Sequence, residues 1–107
     1  MAYQRFCELL QDAADFEGFE KFAAECGGSV PEEIPDDKVL PYLEALYKAA
    51  HGGVLAIRAM TGLSQSKFAI RYSVPVRGLQ KWENGERNPL EYVVRMLAYI
   101  VISEVIV

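Results

Sequence analysis

Apolar residues recur at spacings of three and four through most of this chain, the period of amphipathic helices. Phe6, Leu9, Leu10 and Ala13 predict a helix from Tyr3 to about Ala14. Asp15 can cap a second helix, striped by Phe16, Phe19, Phe22, Ala23 and Cys26 and stopped in a left-handed turn by Gly27-Gly28. Residues 29–37 hold Pro31, Pro35 and four acids, and read as a solvated loop and hinge. Asp36 or Asp37 can cap the next helix, which tolerates Pro41 in its first turn and buries Leu40, Leu43, Leu46, Tyr47 and Ala50. His51-Gly52-Gly53 ends it, with His51 placed to face its own final carbonyls. Further helices are expected at 54–61, 64–72, about 75–83, and from Leu90 along Val93, Val94, Leu97, Ala98 and Val101. The β-branched tail argues for helix only to about Ser103. The fold class is all-α.

Charge divides the chain. Its net charge of −4 combines −7 over residues 1–53, +4 over 54–89 and −1 over 90–107. A basic segment inside an acidic protein is an electrostatic pattern that nucleic-acid readers show. A length of 107 residues suits one domain, or a small domain with a helical extension. We divide it as an acidic helical extension over 1–53 and a second unit over 54–107. The longest apolar run, from Met96 to Ile102, is far short of the ~20 residues a membrane span needs. No secretory leader is legible, so the expectation is a soluble, cytoplasmic protein.

The chemistry of an active site is sparse. Two cysteines, Cys7 and Cys26, and one histidine give no zinc spacing, so no metal and no cofactor is expected. In a reducing cytosol the cysteines are expected as buried free thiols rather than a disulfide. No nucleophile, base and orienting group converge, which argues against an enzyme.

The stretch from Leu63 to Pro89, LSQSKFAIRYSVPVRGLQKWENGERNP, is where the pattern becomes specific. Ser64 is a good N-cap, Phe68 and Ala69 face inward, and small Ala69 lets a second helix cross closely. Pro75 suits a helix start after the turn at Ser73-Val74. Leu79 and Trp82 take the core face of the second helix, leaving Val76, Arg77, Gln80 and Lys81 outward.

These residues resemble the Cro/repressor-type (XRE-like) helix-turn-helix family, over about residues 54–100. The pattern L-S-Q-x-x-[LF]-A, a turn, then apolar-x-x-W-E-x-G-x-x-x-P is met by Leu63, Ser64, Gln65, Phe68, Ala69, Val74, Leu79, Trp82, Glu83, Gly85 and Pro89. The resemblance implies a lambda-repressor-like helical bundle that binds double-stranded DNA as a transcription regulator. It implies base readout by Val76, Arg77, Gln80 and Lys81, with Arg77 or Lys81 suited to guanine, Gln80 to adenine and Val76 to a thymine methyl. It implies phosphate contacts by Gln65, Asn84 and Arg87. Arg58 and Glu83 hold positions that pair in the family, a structural brace rather than a DNA contact. The chain departs from the family at Ser73, where glycine is usual, and carries Gly78 inside the second helix, where a DNA-facing side chain is common.

One such helix buries little surface, so two half-sites ~34 Å apart and a homodimer are expected. The apolar residues Val93, Val94, Leu97, Ile100, Val101, Ile102, Val105 and Ile106 nominate 90–107 as its interface. The front half can pack as extra helices, bind a protein partner as antitoxins do with their toxins, or sense a ligand. An autoregulating antitoxin and a protein-only interaction module therefore stand as the alternatives.

Overall fold

The stripes become the buried faces of six α-helices in the computed structural model, which describes residues 3–107. They are α1 (Tyr3–Asp15), α2 (Phe19–Cys26), α3 (Val39–Thr61), α4 (Gln65–Tyr72), α5 (Val76–Asn84) and α6 (Glu91–Val105), with single 3-10 turns at Gly27–Ser29 and Asp36–Lys38. No strand occurs among the described residues, so the architecture is an all-α bundle. Long α3 is its spine, with α1 and α6 packed on it and on each other.

One continuous core draws on the whole chain. Phe6, Leu9, Leu10 and Ala13 are buried as the spacing predicts. They belong to one core cluster with Tyr42, Leu46 and Ile57 of α3, Phe68 and Leu79 of α4 and α5, and Leu97, Ala98, Val101 and Ile102 of α6. A large apolar side chain taken fully from water contributes roughly 2 kcal/mol. The front helices thus supply much of what holds the bundle together.

Several local expectations are corrected. Asp15 ends α1 instead of capping α2, whose N-cap is Gly18. Gly27 is right-handed (φ −58°), so the glycine pair continues into a 3-10 turn rather than a left-handed stop. Neither Asp36 nor Asp37 caps α3: Lys38 is its N-cap, preceded by the 3-10 turn. The acidic loop is anchored by Ile34, which is buried and whose N–H donates to the Pro31 carbonyl at 3.1 Å. Leu40 is 56% exposed, and fully buried Tyr42 takes the place foreseen for it. The helix buries Leu43 and Leu46 as expected, together with Tyr42, Ala45 and Ala49, while Tyr47 and Ala50 are only half-buried. Burial also pushes the Tyr42 phenol pKa up.

Gly52 and Gly53 break α3 where a helix end was expected, and helix resumes from Val54 as the spacing predicts. Gly53 takes φ 65° and ψ −151°, open only to glycine. Before the bend, His51 serves a different helix from its own. Its Nε2 lies 2.8 Å from the Ala13 carbonyl oxygen in the last turn of α1. A carbonyl only accepts, so Nε2 carries the proton and closes the end of α1. The ring rests against Tyr47, centroids 4.2 Å apart.

The carboxy-terminal helix runs to Val105, two residues past the expected limit. Leu97, Val101 and Ile102, expected in a dimer interface, are core residues. Leu90, expected on the buried stripe, is 64% exposed and serves as the N-cap of α6. Tyr92, Met96 and Ile100, spaced by four, form the exposed apolar strip of α6, with exposed Tyr3 also lying against Tyr99. Cys7 and Cys26 are free thiols, half-buried rather than buried. Burial, with Asp12 and Glu25 nearby, pushes the Cys26 thiol pKa up toward the inert protonated form.

Candidate nucleic-acid interface

Short-range sequence signals set the geometry of α4 and α5. The Ser64 hydroxyl accepts from the Lys67 N–H at 3.2 Å, satisfying one of the open donors at the start of α4. Phe68 and Ala69 turn into the core and the helix stops at Ser73, with φ 57° and ψ 42°. Ser73 is the only non-glycine residue at positive φ among those described. The Ser73 and Val74 N–H groups both turn back to the Ala69 carbonyl, the latter at 2.9 Å. Pro75 follows with φ −62° and launches α5. A glycine would fit this turn without strain, so the left-handed Ser73 costs about 1 kcal/mol.

On α5, Leu79 is fully buried and Trp82 and Glu83 half-buried along one side. Val76, Arg77, Gln80, Lys81 and Asn84 are all exposed and fall within an arc of roughly 140° on the other. Four of these five are the readers nominated from sequence. At the end of α5, Gly85 (φ 78°) lets the Glu86 and Arg87 N–H groups turn back to the Lys81 carbonyl, at 3.0 and 3.3 Å. This tight return leaves the Arg87 side chain exposed just past the helix end. Asn84 Nδ2 reaches Glu86 Oε1 only at 3.5 Å, so its amide is nearly free. Among the described residues no carboxylate forms an ion pair with Arg77, Lys81 or Arg87. Arg71, also in the basic segment, is instead tied to Glu104 of α6.

Gly78 lies elsewhere than its sequence position suggested. It is half-buried at the edge of the arc, and a Cβ there would point between Pro75 Cβ (3.9 Å) and Trp82 Cζ2 (4.0 Å). The glycine therefore leaves no gap in the middle of the exposed face.

The expected brace is present and has more members than expected. Arg58 donates from Nε to Glu83 Oε2 at 2.7 Å and from Nη2 to Oε1 at 2.9 Å, a forked pair. Its remaining Nη1 donates to the Leu63 carbonyl at 2.9 Å, across the turn between α3 and α4. Gln65 Nε2 donates to Glu83 Oε1, also at 2.9 Å. One carboxylate, its side chain 5% exposed, thus joins α3, the start of α4 and the end of α5. The guanidinium beside it holds the Glu83 carboxyl below the usual range, helped by Gln65, and the carboxylate in turn raises the Arg58 pKa. Residue spacing carries no signal for the Gln65–Glu83 bond, which spans 18 positions.

Two further residues belong to this surface. Lys67 is exposed in the first turn of α4, near Gln65. Ile70 is 82% exposed and, with Ser66, Ala69, Val74 and Val76, lines a shallow groove between α4 and α5. The basic character of Lys67 was legible, whereas Ile70 fits the apolar spacing of a core residue and only the fold shows it outside.

Comparison with family models, curated proteins and solved structures finds no match for this chain. Among the described residues no group of three His, Cys, Asp or Glu side chains could hold a metal ion. No described helix is long and apolar enough to cross a membrane.

Proposed function

We propose that this chain is a sequence-specific reader of double-stranded DNA, a repressor-like transcription regulator acting as a homodimer on an inverted repeat. The observation that carries this is the outward arc of α5. It presents two cations, two amides and a small apolar side chain on a helix short enough to enter a major groove, and α3 and α4 brace it from behind. In this reading Arg77 and Lys81 seek guanine acceptors, Gln80 pairs with adenine and Val76 meets a thymine methyl. Gln65, Asn84 and Arg87 take phosphates on either side. The lambda-repressor-like arrangement of α4 and α5 and the family resemblance belong to the same proposal.

The second copy joins through the exposed strip of Tyr92, Met96 and Ile100. Met96→Glu places a charge in that strip and is expected to shift the protein to monomer in sedimentation at tens of micromolar. A wild type that is already monomeric at that concentration removes the dimer from the proposal.

Selection of bound sequences from a random duplex pool is the direct test. A symmetric logo with half-sites about one helical turn apart is expected, with affinity falling steeply as salt rises. Arg77→Ala is expected to cost ~1–3 kcal/mol and relax one position of each half-site. An unchanged logo refutes the assignment of Arg77. Exposed Ile70 and its groove favour one second reading, a module that docks protein rather than DNA. Failure to bind heparin or mixed duplex at low salt selects that reading.

A further inference from the structure

We infer that Glu83, whose side chain is enclosed beside the outward arc, is a positioning residue for DNA backbone contact and acts through Gln65. This rests on the DNA-binding reading above. A glutamine amide offers two N–H donors and one carbonyl acceptor, on a side chain with three rotatable bonds. Here one Nε2 proton is held by Glu83 Oε1 at 2.9 Å, which fixes the amide while leaving its other proton and its carbonyl available. Gln65 is the first residue of α4, half-buried, where the helix start favours an anion. Glu83 itself is too enclosed to meet a phosphate, and its charge is matched by the forked Arg58 pair. Because Glu83 sits on α5, the same carboxylate that orients Gln65 travels with the reading helix. It sets the register between the backbone contact and the base contacts.

The test is a binding cycle on the full chain with two duplexes, one carrying the selected site and one unrelated. Glu83→Asp keeps the charge but withdraws the carboxylate by one methylene, and Glu83→Gln keeps the shape but removes the charge. Each is expected to weaken binding about fivefold on both duplexes, with the sequence logo unchanged, because a phosphate contact carries no sequence information. In a Gln65→Ala background the same changes are expected to cost less than about twofold. Equal losses in both backgrounds mean Glu83 only supports the fold, and the inference is overturned. Binding is measured well below the lowest melting temperature of the set.

A second measurement needs no variant. Relaxation of the Gln65 side-chain amide in the free protein is expected to show an ordered group, and an amide as mobile as that of an exposed glutamine overturns the inference. Wild type that binds neither duplex at low salt refutes the DNA reading, and this inference with it.

Discussion

Replacing Gly52 with alanine tests the bend in α3 on which the placement of Arg58 depends. A Cβ added at Gly52 would stand 2.5 Å from the Ala56 Cβ. Carbon atoms in contact settle at about 3.5–4.0 Å, so the two must separate by roughly 1 Å or more. Ala56 offers no flexible end to move, and relief requires its whole turn to shift away. That turn is set by Gly53, whose φ of 65° and ψ of −151° aim the second half of the helix. Overpacking of this kind costs about 1–3 kcal/mol. The intrinsic preference of helix for alanine over glycine returns up to about 1 kcal/mol. A net loss of about 1–2 kcal/mol is expected, seen as a melting temperature lower by about 5 °C or more in circular dichroism. Adding Ala56→Gly removes the obstructing methyl, so the pair is expected to be far less destabilised than the two single losses combined. A Gly52→Ala protein as stable as wild type, or more so, refutes the described approach across the bend.

Other positions give expectations of opposite sign. Ser73→Gly relieves a left-handed serine and is expected to stabilise by about 1 kcal/mol, read as a higher urea midpoint at unchanged slope. A lower midpoint would place the turn in another conformation. Gly78→Ala meets only ordinary contacts and is likewise expected to raise the melting temperature, by about 4 °C, as alanine replaces glycine inside a helix. Because the Glu83 carboxyl is held below its ordinary range, chiefly by Arg58, its contribution is full above that range and is lost as pH falls through the folded value. Urea midpoints of Glu83→Gln are therefore expected to vary less with pH on the acid side than those of wild type, and parallel curves would show that the pair does not contribute.

Where the helices lie was largely legible, because periodic apolar residues report burial directly. Phe6, Leu9, Leu10 and Ala13 all turn inward, and Ser64 caps α4 as its residue type suggests. The cap errors at Asp15 and Asp36 arose because residue type shows what can cap but not what does, and the one at Gly27 because a glycine permits a left-handed stop without requiring it. The apolar tail shows a second limit. Periodicity marks Leu97, Val101 and Ile102 as sticky, yet only the fold decides that α3 and α1 occupy them and that Met96 is left outside. At the candidate site, the outward set on α5 was readable from helical geometry, and the Arg58–Glu83 pair from the family pattern. The Gln65 link was not, because it depends on where two helix ends meet.

Trp82 is the only tryptophan in the chain, and it sits on α5 one residue before the brace carboxylate, half-buried against the core. Its emission is therefore a built-in optical probe of α5, separable from the six tyrosines by exciting at the red edge of absorption. A shift in its colour or lifetime on adding duplex would report movement at this one place, with no label attached and no side chain of the exposed arc altered.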